Sequence, residues 1–391
     1  MSQTGKVKPR GLVAVAGVAV IFLVIFATLE LAAFLYTSYL AKKYGILFYL
    51  PNITEDYPTY AARLNPLLGW PSPQALEQEA QAAPGKAAIS AYGDSFTAGY
   101  GVEPEYAWSN VLGRMLSRQI ANYGVPGYGT DQAYLRFHDN AKDTANLVFL
   151  GLLSENVQRN VNQLRNFIIP NSQCQTKPRF LLDDKGALQL APLPDLTAEN
   201  YRDFIESPER FLEHDYFRPG GPSGAQHLGF PYTWSILKAH RFFYNRYVLG
   251  YTSYLQFYQP GHPSRALPLT MAIVQQFHRE AKDRGKHPIV LIFPGPEDFP
   301  YYQQHKKPLY EPLLQEFQRR GIEYVDLGVE IIKRLGSRDY SEIFLAGRYS
   351  HFNEKGNRLV AEIIYDYLKS KDYVPQSPRQ DESRGVTPAE K

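Results

Sequence analysis

Gly11 to Leu29 is an unbroken run of nineteen apolar and small residues. At about 1.5 Å per residue it spans roughly 28 Å, close to the hydrocarbon core of a bilayer. Glu30 interrupts the run, which resumes from Leu31 to Leu40 with Tyr36 and Tyr39 near the expected interface. The run is longer than the apolar region of a cleaved signal peptide, and no convincing A-x-A-like cleavage site follows it. Residues 11–40 are therefore expected to be a transmembrane signal anchor in contact with lipid. Lys6, Lys8 and Arg10 precede the span, and Lys42 and Lys43 follow it. With so slight a positive bias, the leading residues 1–10 are taken as cytoplasmic and the bulk of the chain as outside. Glu30 is expected to snorkel or to pair with Lys42 or Lys43.

Past Lys86 the pattern becomes one of short apolar runs alternating with helical periods. Ala87 to Tyr92, Ile120 to Tyr123, Leu147 to Leu152, Pro288 to Phe293 and Ile322 to Leu327 read as buried strands. Helical spacing covers Trp108 to Arg118, Asp131 to Ala141, Glu155 to Phe167, Leu267 to Arg284, Leu309 to Arg320 and Lys355 to Leu368. This alternation predicts an α/β fold, with a parallel sheet of about five strands in a three-layer α/β/α sandwich.

Three segments fall outside that alternation. Residues 41–86 carry six prolines and read as a juxtamembrane linker with a short helix at Gln74 to Ala83. Residues 371–391 are polar, carry three prolines and read as a disordered tail. Residues 170–265 read as an insertion into the 87–370 domain. They open with a hairpin from Phe180 to Leu190 around Asp183-Asp184-Lys185-Gly186 and then turn aromatic and irregular. The insertion is expected to cap the carboxyl edge of the sheet.

Composition narrows the function classes. Lysine and arginine total 42 against 39 acidic residues, a net charge of +3, which offers no electrostatic case for nucleic acid. The single cysteine, Cys174, excludes an internal disulfide and a cysteine-rich metal site. No P-loop or dinucleotide fingerprint follows a strand, and His138, His278 and His287 stand on or beside helices without metal-ligand partners, so no metal and no cofactor is expected.

In a doubly wound sheet, ligands bind beyond the carboxyl ends of the strands. After the first strand comes Gly93-Asp94-Ser95, a serine on a strand-to-helix turn where free backbone N–H groups favour developing negative charge. After the second comes Asn122-Tyr123-Gly124-Val125-Pro126-Gly127-Tyr128-Gly129, a loop that allows close backbone approach. After the third comes Ser154-Glu155-Asn156, which offers a side-chain amide to the same crevice. His351 lies just before the last helix, in His351-Phe352-Asn353-Glu354-Lys355-Gly356.

These blocks, in this order, resemble the SGNH/GDSL hydrolase superfamily. The resemblance covers about Ala87 to Leu368 apart from the insertion, and implies a flavodoxin-like sandwich and ester chemistry. It implies Ser95 as nucleophile, His351 as general base, and an oxyanion hole made by Ser95, Gly127 and Asn156. The family's acid stands three residues before the histidine, where this chain has Arg348. A Ser95–His351 dyad, or a substitute carboxylate from Asp326, Asp339 or Glu342, is the expectation that follows. The residues around Gly99, Trp108 and Gly127 to Gln132 look like a membrane-anchored bacterial branch found with cell-surface polysaccharide genes. The implied partner is a small acyl ester or an O-acylated carbohydrate, and the implied location is the bacterial inner membrane with the catalytic domain outside. The expected activity is a serine esterase, with O-acyltransfer by the same serine and a non-catalytic polysaccharide-binding protein as alternatives.

Overall fold

The computed structural model describes residues 9–44, 48–49, 51–76, 87–223, 226–243, 254–336, 339–347 and 350–373. Arg348, Tyr244, Tyr247, Tyr251 and the expected tail from residue 374 onward lie outside the described residues. So do positions 77–83 of the expected helix at Gln74 to Ala83, although residues 73–76 are helical. The chain divides into two compact units, Met1–Gln78 with Val157–Ala272 and Glu79–Asn156 with Ile273–Lys391.

The second unit is built on a five-stranded sheet. Its strands are β1 (Ile89–Gly93), β2 (Ile120–Gly124), β3 (Leu147–Leu153), β4 (His287–Phe293) and β5 (Tyr324–Asp326). All neighbours are parallel and the spatial order is β2-β1-β3-β4-β5. That order is the flavodoxin-like doubly wound arrangement, whose direction of winding reverses between β1 and β3. Strand residues point alternately to the two faces. Ile89, Ala91, Phe149, Leu153, Ile289, Leu291 and Val325 join one core with Trp108, Leu112, Ile331, Val360 and Ile364 from the covering helices. The alternate positions Tyr92, Leu150 and Ile292 are also buried. On that side the Tyr92 ring packs 5.4 Å from Phe137, which lies 4.9 Å from Phe277. With both faces covered, the strands can be apolar throughout, which is why they read as continuous runs.

The strands and most helices fall where the apolar pattern puts them, shifted by one or two residues. Three elements differ. The helix anticipated from Glu155 to Phe167 is a single turn, Asn156–Arg159, followed by a 3-10 turn at Arg165–Phe167. Its polar side chains are committed elsewhere, with Asn162 Nδ2 donating to Leu164 O at 2.8 Å and to Asp215 at 3.1 Å. Asp298–His305 and Leu327–Leu335 are helices that the pattern did not suggest. The second begins where the fifth strand was expected to continue, because the Asp326 carboxylate accepts from Val329 N–H at 3.0 Å and caps a helix there.

The first unit holds the helix Pro9–Tyr44, whose segment Val13–Leu40 is long and apolar enough to cross a membrane. It also holds the short helix Tyr57–Arg63, the antiparallel hairpin of Arg179–Leu182 with Leu188–Ala191, and the helix Tyr232–Phe243. Glu30 does not pair with Lys42 as anticipated, and the Lys43 side chain lies outside the described ones. The Glu30 carboxylate accepts from the backbone N–H groups of Tyr232 and Thr233 and from the Thr233 hydroxyl. A helix N-terminus supplies orphan donors that a lysine side chain would have to outcompete. Many aromatics of the 170–265 stretch form a core: Phe204, Phe217, Phe257 and Tyr258 are all buried.

Candidate active site

β1 ends at Gly93 and the chain turns at once into the four-residue helix Ser95–Ala98. Asp94 caps that helix, its side chain accepting from Phe96 N–H at 2.9 Å. Ser95 is therefore the first helical residue, and its N–H has no partner inside the helix. The turn is pressed against the sheet at three strand ends. A Cβ on Gly93 or Gly151 would come within 2.0 and 1.8 Å of Thr97 Oγ1, and one on Gly124 within 2.4 Å of Ala98 N. Glycine at these ends of β1, β3 and β2 is what lets the serine turn sit so low.

The other end of the short helix is tied down by side chains. The Thr97 carbonyl accepts from Trp108 Nε1 at 2.8 Å and from Asn122 Nδ2 at 2.7 Å. Asn357, in the last helix Glu354–Ser370, accepts from Trp108 N–H at 3.1 Å and donates to Phe352 O at 3.0 Å. One chain of hydrogen bonds thus joins the serine turn to the backbone beside His351. The His351 carbonyl accepts from Leu345 N–H at 2.8 Å, and Asn353 N–H donates to Ile343 O at 3.0 Å. These bonds flank an antiparallel bridge between Phe344 and Phe352.

That scaffold brings together two residues 256 positions apart. His351 Nε2 lies 2.8 Å from Ser95 Oγ. With Nε2 unprotonated, the serine hydroxyl donates to it, the ground-state arrangement of a nucleophile and its base. The imidazole packs between Phe96 and Tyr100, with ring centroids at 5.0 and 5.2 Å. Ser95 is 6% exposed and His351 is half-buried, so the serine hydroxyl itself has little competing water.

Asn156 opens the turn after β3 and is fully buried. The hydrogen-bond network orients its amide so that Nδ2 donates to Asp94 Oδ2 at 3.1 Å and Oδ1 accepts from Leu153 N–H at 3.3 Å. One of the two amide hydrogens is thereby committed to Asp94. Gly127 is the third residue of the turn Val125-Pro126-Gly127-Tyr128, which is closed by Tyr128 N–H to Val125 O at 3.2 Å. Its φ of 88° is the left-handed value that a type II turn requires at this position, with proline before it.

The three candidate acids have other partners. Asp326 caps the helix Leu327–Leu335 and accepts from Tyr310 OH at 2.7 Å. Burial raises its carboxyl above the usual range, against the hydrogen bonds that lower it. Asp339 caps a 3-10 turn through Ser341 N–H at 2.8 Å, and that bond holds its carboxyl below the usual range. Glu342 pairs with Lys355 at 2.6 Å on the surface. Cys174 is buried, and burial pushes its thiol up to about 12, far from a reactive thiolate. No group of three potential metal ligands occurs among the described residues. Trp108, Asn122 and Asn357 are site-supporting residues whose roles the motifs did not disclose. The available signal was a polar side chain, or an indole N–H, at an otherwise apolar helical or strand position.

No protein-family model and no curated protein matches this chain. Solved structures similar to it include a member of the lipolytic protein G-D-S-L family from Veillonella parvula. That pair shares 13% identity over 72% of this chain and 97% of the other, with a TM-score of 0.34. An acetylxylan esterase from Geobacillus stearothermophilus is 12% identical over 73% and 94% of the two chains, with a TM-score of 0.36. The lipase/acylhydrolase from Enterococcus faecalis is 12% identical over 72% and 95%, with a TM-score of 0.35. Likenesses at this level leave the chemistry to be argued from Ser95 and His351 themselves.

Proposed function

We propose that this chain is a membrane-anchored serine esterase of the SGNH/GDSL type, acting on acyl esters. The observation that carries the reading is the 2.8 Å contact between Ser95 Oγ and His351 Nε2, at the carboxyl end of β1 in the sheet's switch region. Ser95 Oγ attacks the ester carbonyl carbon while its proton passes to His351 Nε2. The tetrahedral oxyanion is held by the N–H groups of Ser95 and Gly127 and by the spare amide hydrogen of Asn156. His351 returns the proton to the departing alcohol oxygen as the C–O bond breaks, leaving an acyl-serine. Water then attacks the acyl carbon as its proton passes to His351 Nε2, and His351 returns that proton to Ser95 Oγ as the acyl–Oγ bond breaks and the acid leaves.

Three features support the assignment beyond the dyad. The four blocks stand in the superfamily's order, the oxyanion candidates lie on three successive strand ends, and Asp94 orients the Asn156 amide. The acyl carrier we propose is an extracytoplasmic carbohydrate bearing O-acetyl groups, on the sequence's resemblance to the polysaccharide-associated branch. Anchoring is proposed through Val13–Leu40, with residues 1–10 cytoplasmic.

The test is labelling of the full chain in membranes with a fluorophosphonate probe, followed by acetate release from a panel of O-acetylated sugars and aryl esters. Wild type should label and hydrolyse. Ser95→Ala should do neither, and His351→Ala should slow both by at least about a hundredfold. Correctly folded wild type that neither labels nor hydrolyses any ester overturns the reading. Labelling with acyl transfer to an added sugar, and no release to water, would move it to the acyltransferase.

A further inference from the structure

We propose that the helix Tyr232–Phe243 and Phe230 before it form a second membrane contact, lying in the outer interface with Phe230, Trp234 and Leu237 among the lipid headgroups and first acyl carbons. The inference rests on the anchor reading above and extends it to a part of the chain that no apolar span marks.

The long N-terminal helix changes character at one residue. Every side chain from Val13 to Leu29 is exposed, whereas Glu30, Ala33, Thr37 and Leu40 are buried. Their spacing of three and four residues is one helix face, so protein covers the helix from Glu30 onward. The bare stretch is the part left for lipid, and Glu30 marks its outer end.

The element covering the helix at that point is Tyr232–Phe243. Glu30 accepts from Tyr232 N–H at 2.5 Å, from Thr233 N–H at 3.3 Å and from the Thr233 hydroxyl. A carboxylate in so apolar a helix is costly unless it is tied, and two orphan N–H groups of a helix start tie it. Phe34 packs on Tyr232 at 4.9 Å. Phe26 packs edge-on against Phe230 at 5.9 Å. Phe26 lies four residues before Glu30, roughly 6 Å further along the bare stretch, so Phe230 already reaches into the depth occupied by lipid.

The face pointing away from protein is apolar. Phe230 is 67% exposed, Trp234 55% and Leu237 57%. Outside the N-terminal helix, Tyr100 is the only other large apolar side chain more than half exposed among the described residues. Trp234 and Leu237 are one turn apart, while Ser235 and Ala239 on the opposite side are buried. Lys238 Nζ lies 5.9 Å from the Trp234 ring centroid, a cation beside the indole at the level where phosphates sit. The patch is continuous with the bare helix through the Phe26–Phe230 contact, and that continuity selects lipid as its occupant over a second protein.

The full chain, reconstituted in phosphatidylcholine vesicles, tests this by quenching with lipids brominated near the headgroup or near the chain terminus. Three tryptophans are present, and Trp70 and Trp108 are only 7% and 0% exposed, so Trp234 dominates any quenching. Shallow bromines should quench wild type more than deep ones, and Trp234→Phe should lose that quenching with an unchanged circular dichroism spectrum. Glu30→Ala should weaken the shallow quenching, since the helix is no longer held at the span. Vesicle-bound wild type that quenches no more than Trp234→Phe overturns the inference, including the case in which a second copy covers the face. A chain that washes off the vesicles in alkaline carbonate would instead remove the anchor reading and this inference together.

Discussion

Asp326 shows how a single carboxylate is placed by its surroundings rather than by its neighbours in sequence. Its Oδ1 accepts from Tyr310 and from Val329 N–H, while Oδ2 is buried with no partner. Burial raises its folded carboxyl above the unfolded value, so the stability it contributes is present below the ordinary carboxylate range and is lost as pH rises through the folded value. Asp326→Asn keeps the Oδ1 acceptor and removes the buried charge. It should therefore be at least as stable as wild type at pH 7, with its relative advantage shrinking toward pH 4 in thermal melts. It should also leave fluorophosphonate labelling within about twofold, because Asp326 is committed to Tyr310 and a helix cap; a loss of about a thousandfold would mark it as the acid behind His351. Asn156 is the complementary case. Asn156→Ala should lower kcat by about 10²–10³ with little change in KM, the signature of a donor used mainly in the transition state. An effect confined to KM would remove Asn156 from the oxyanion hole.

At the scale of elements, the serine turn depends on how closely a short helix approaches three strands. Thr97 fills the space over Gly93 and Gly151, and its hydroxyl is buried without a partner. Gly151→Ala would drive a methyl into that hydroxyl and should cost about 1–3 kcal/mol, read as a lowered Tm. Adding Thr97→Ala should recover a large part of the loss, since the nearest remaining Thr97 atom to the new methyl is the Cβ, at 3.1 Å. No recovery in the double variant would place the strain elsewhere. Much of this local architecture was legible in the chain. Alternating apolar runs and helical periods locate β1 to β5 because both faces of a parallel sheet are buried. The helix Leu327–Leu335 was hidden, because its cap Asp326 is also the last strand residue and its apolar positions extend the strand's run. The expected helix from Glu155 to Phe167 failed for the opposite reason: Asn162 bonds to the Leu164 carbonyl two residues on and to Asp215, 53 positions away, and nothing in the local period records that second partner.

For the molecule as a whole, the long N-terminal helix makes a strong demand on the environment. The seventeen residues from Val13 to Leu29 are all exposed, with Phe230 packed against Phe26 among them, which in water would be an aggregation-prone surface. The full chain should resist extraction by alkaline carbonate. The proposed cytoplasmic placement of residues 1–10 predicts that protease added to intact spheroplasts degrades the domain that carries Ser95; a protected domain would reverse the orientation.

Periodicity, strand-end glycines and the order of four short blocks determine the sheet and the apolar span, and point to the proposed nucleophile and base. Each is a local signal: a side chain's face follows from its spacing, and a serine after a strand has one place to go. The contact between Ser95 and His351 is a different kind of fact. It depends on Trp108, Asn122 and Asn357 linking segments far apart in sequence. The pairing of Glu30 with the start of Tyr232–Phe243 belongs to the same kind, joining positions 202 and 203 residues apart. Hydrogen-bond partners at that distance leave no period in the chain, because their geometry exists only once the intervening backbone has folded.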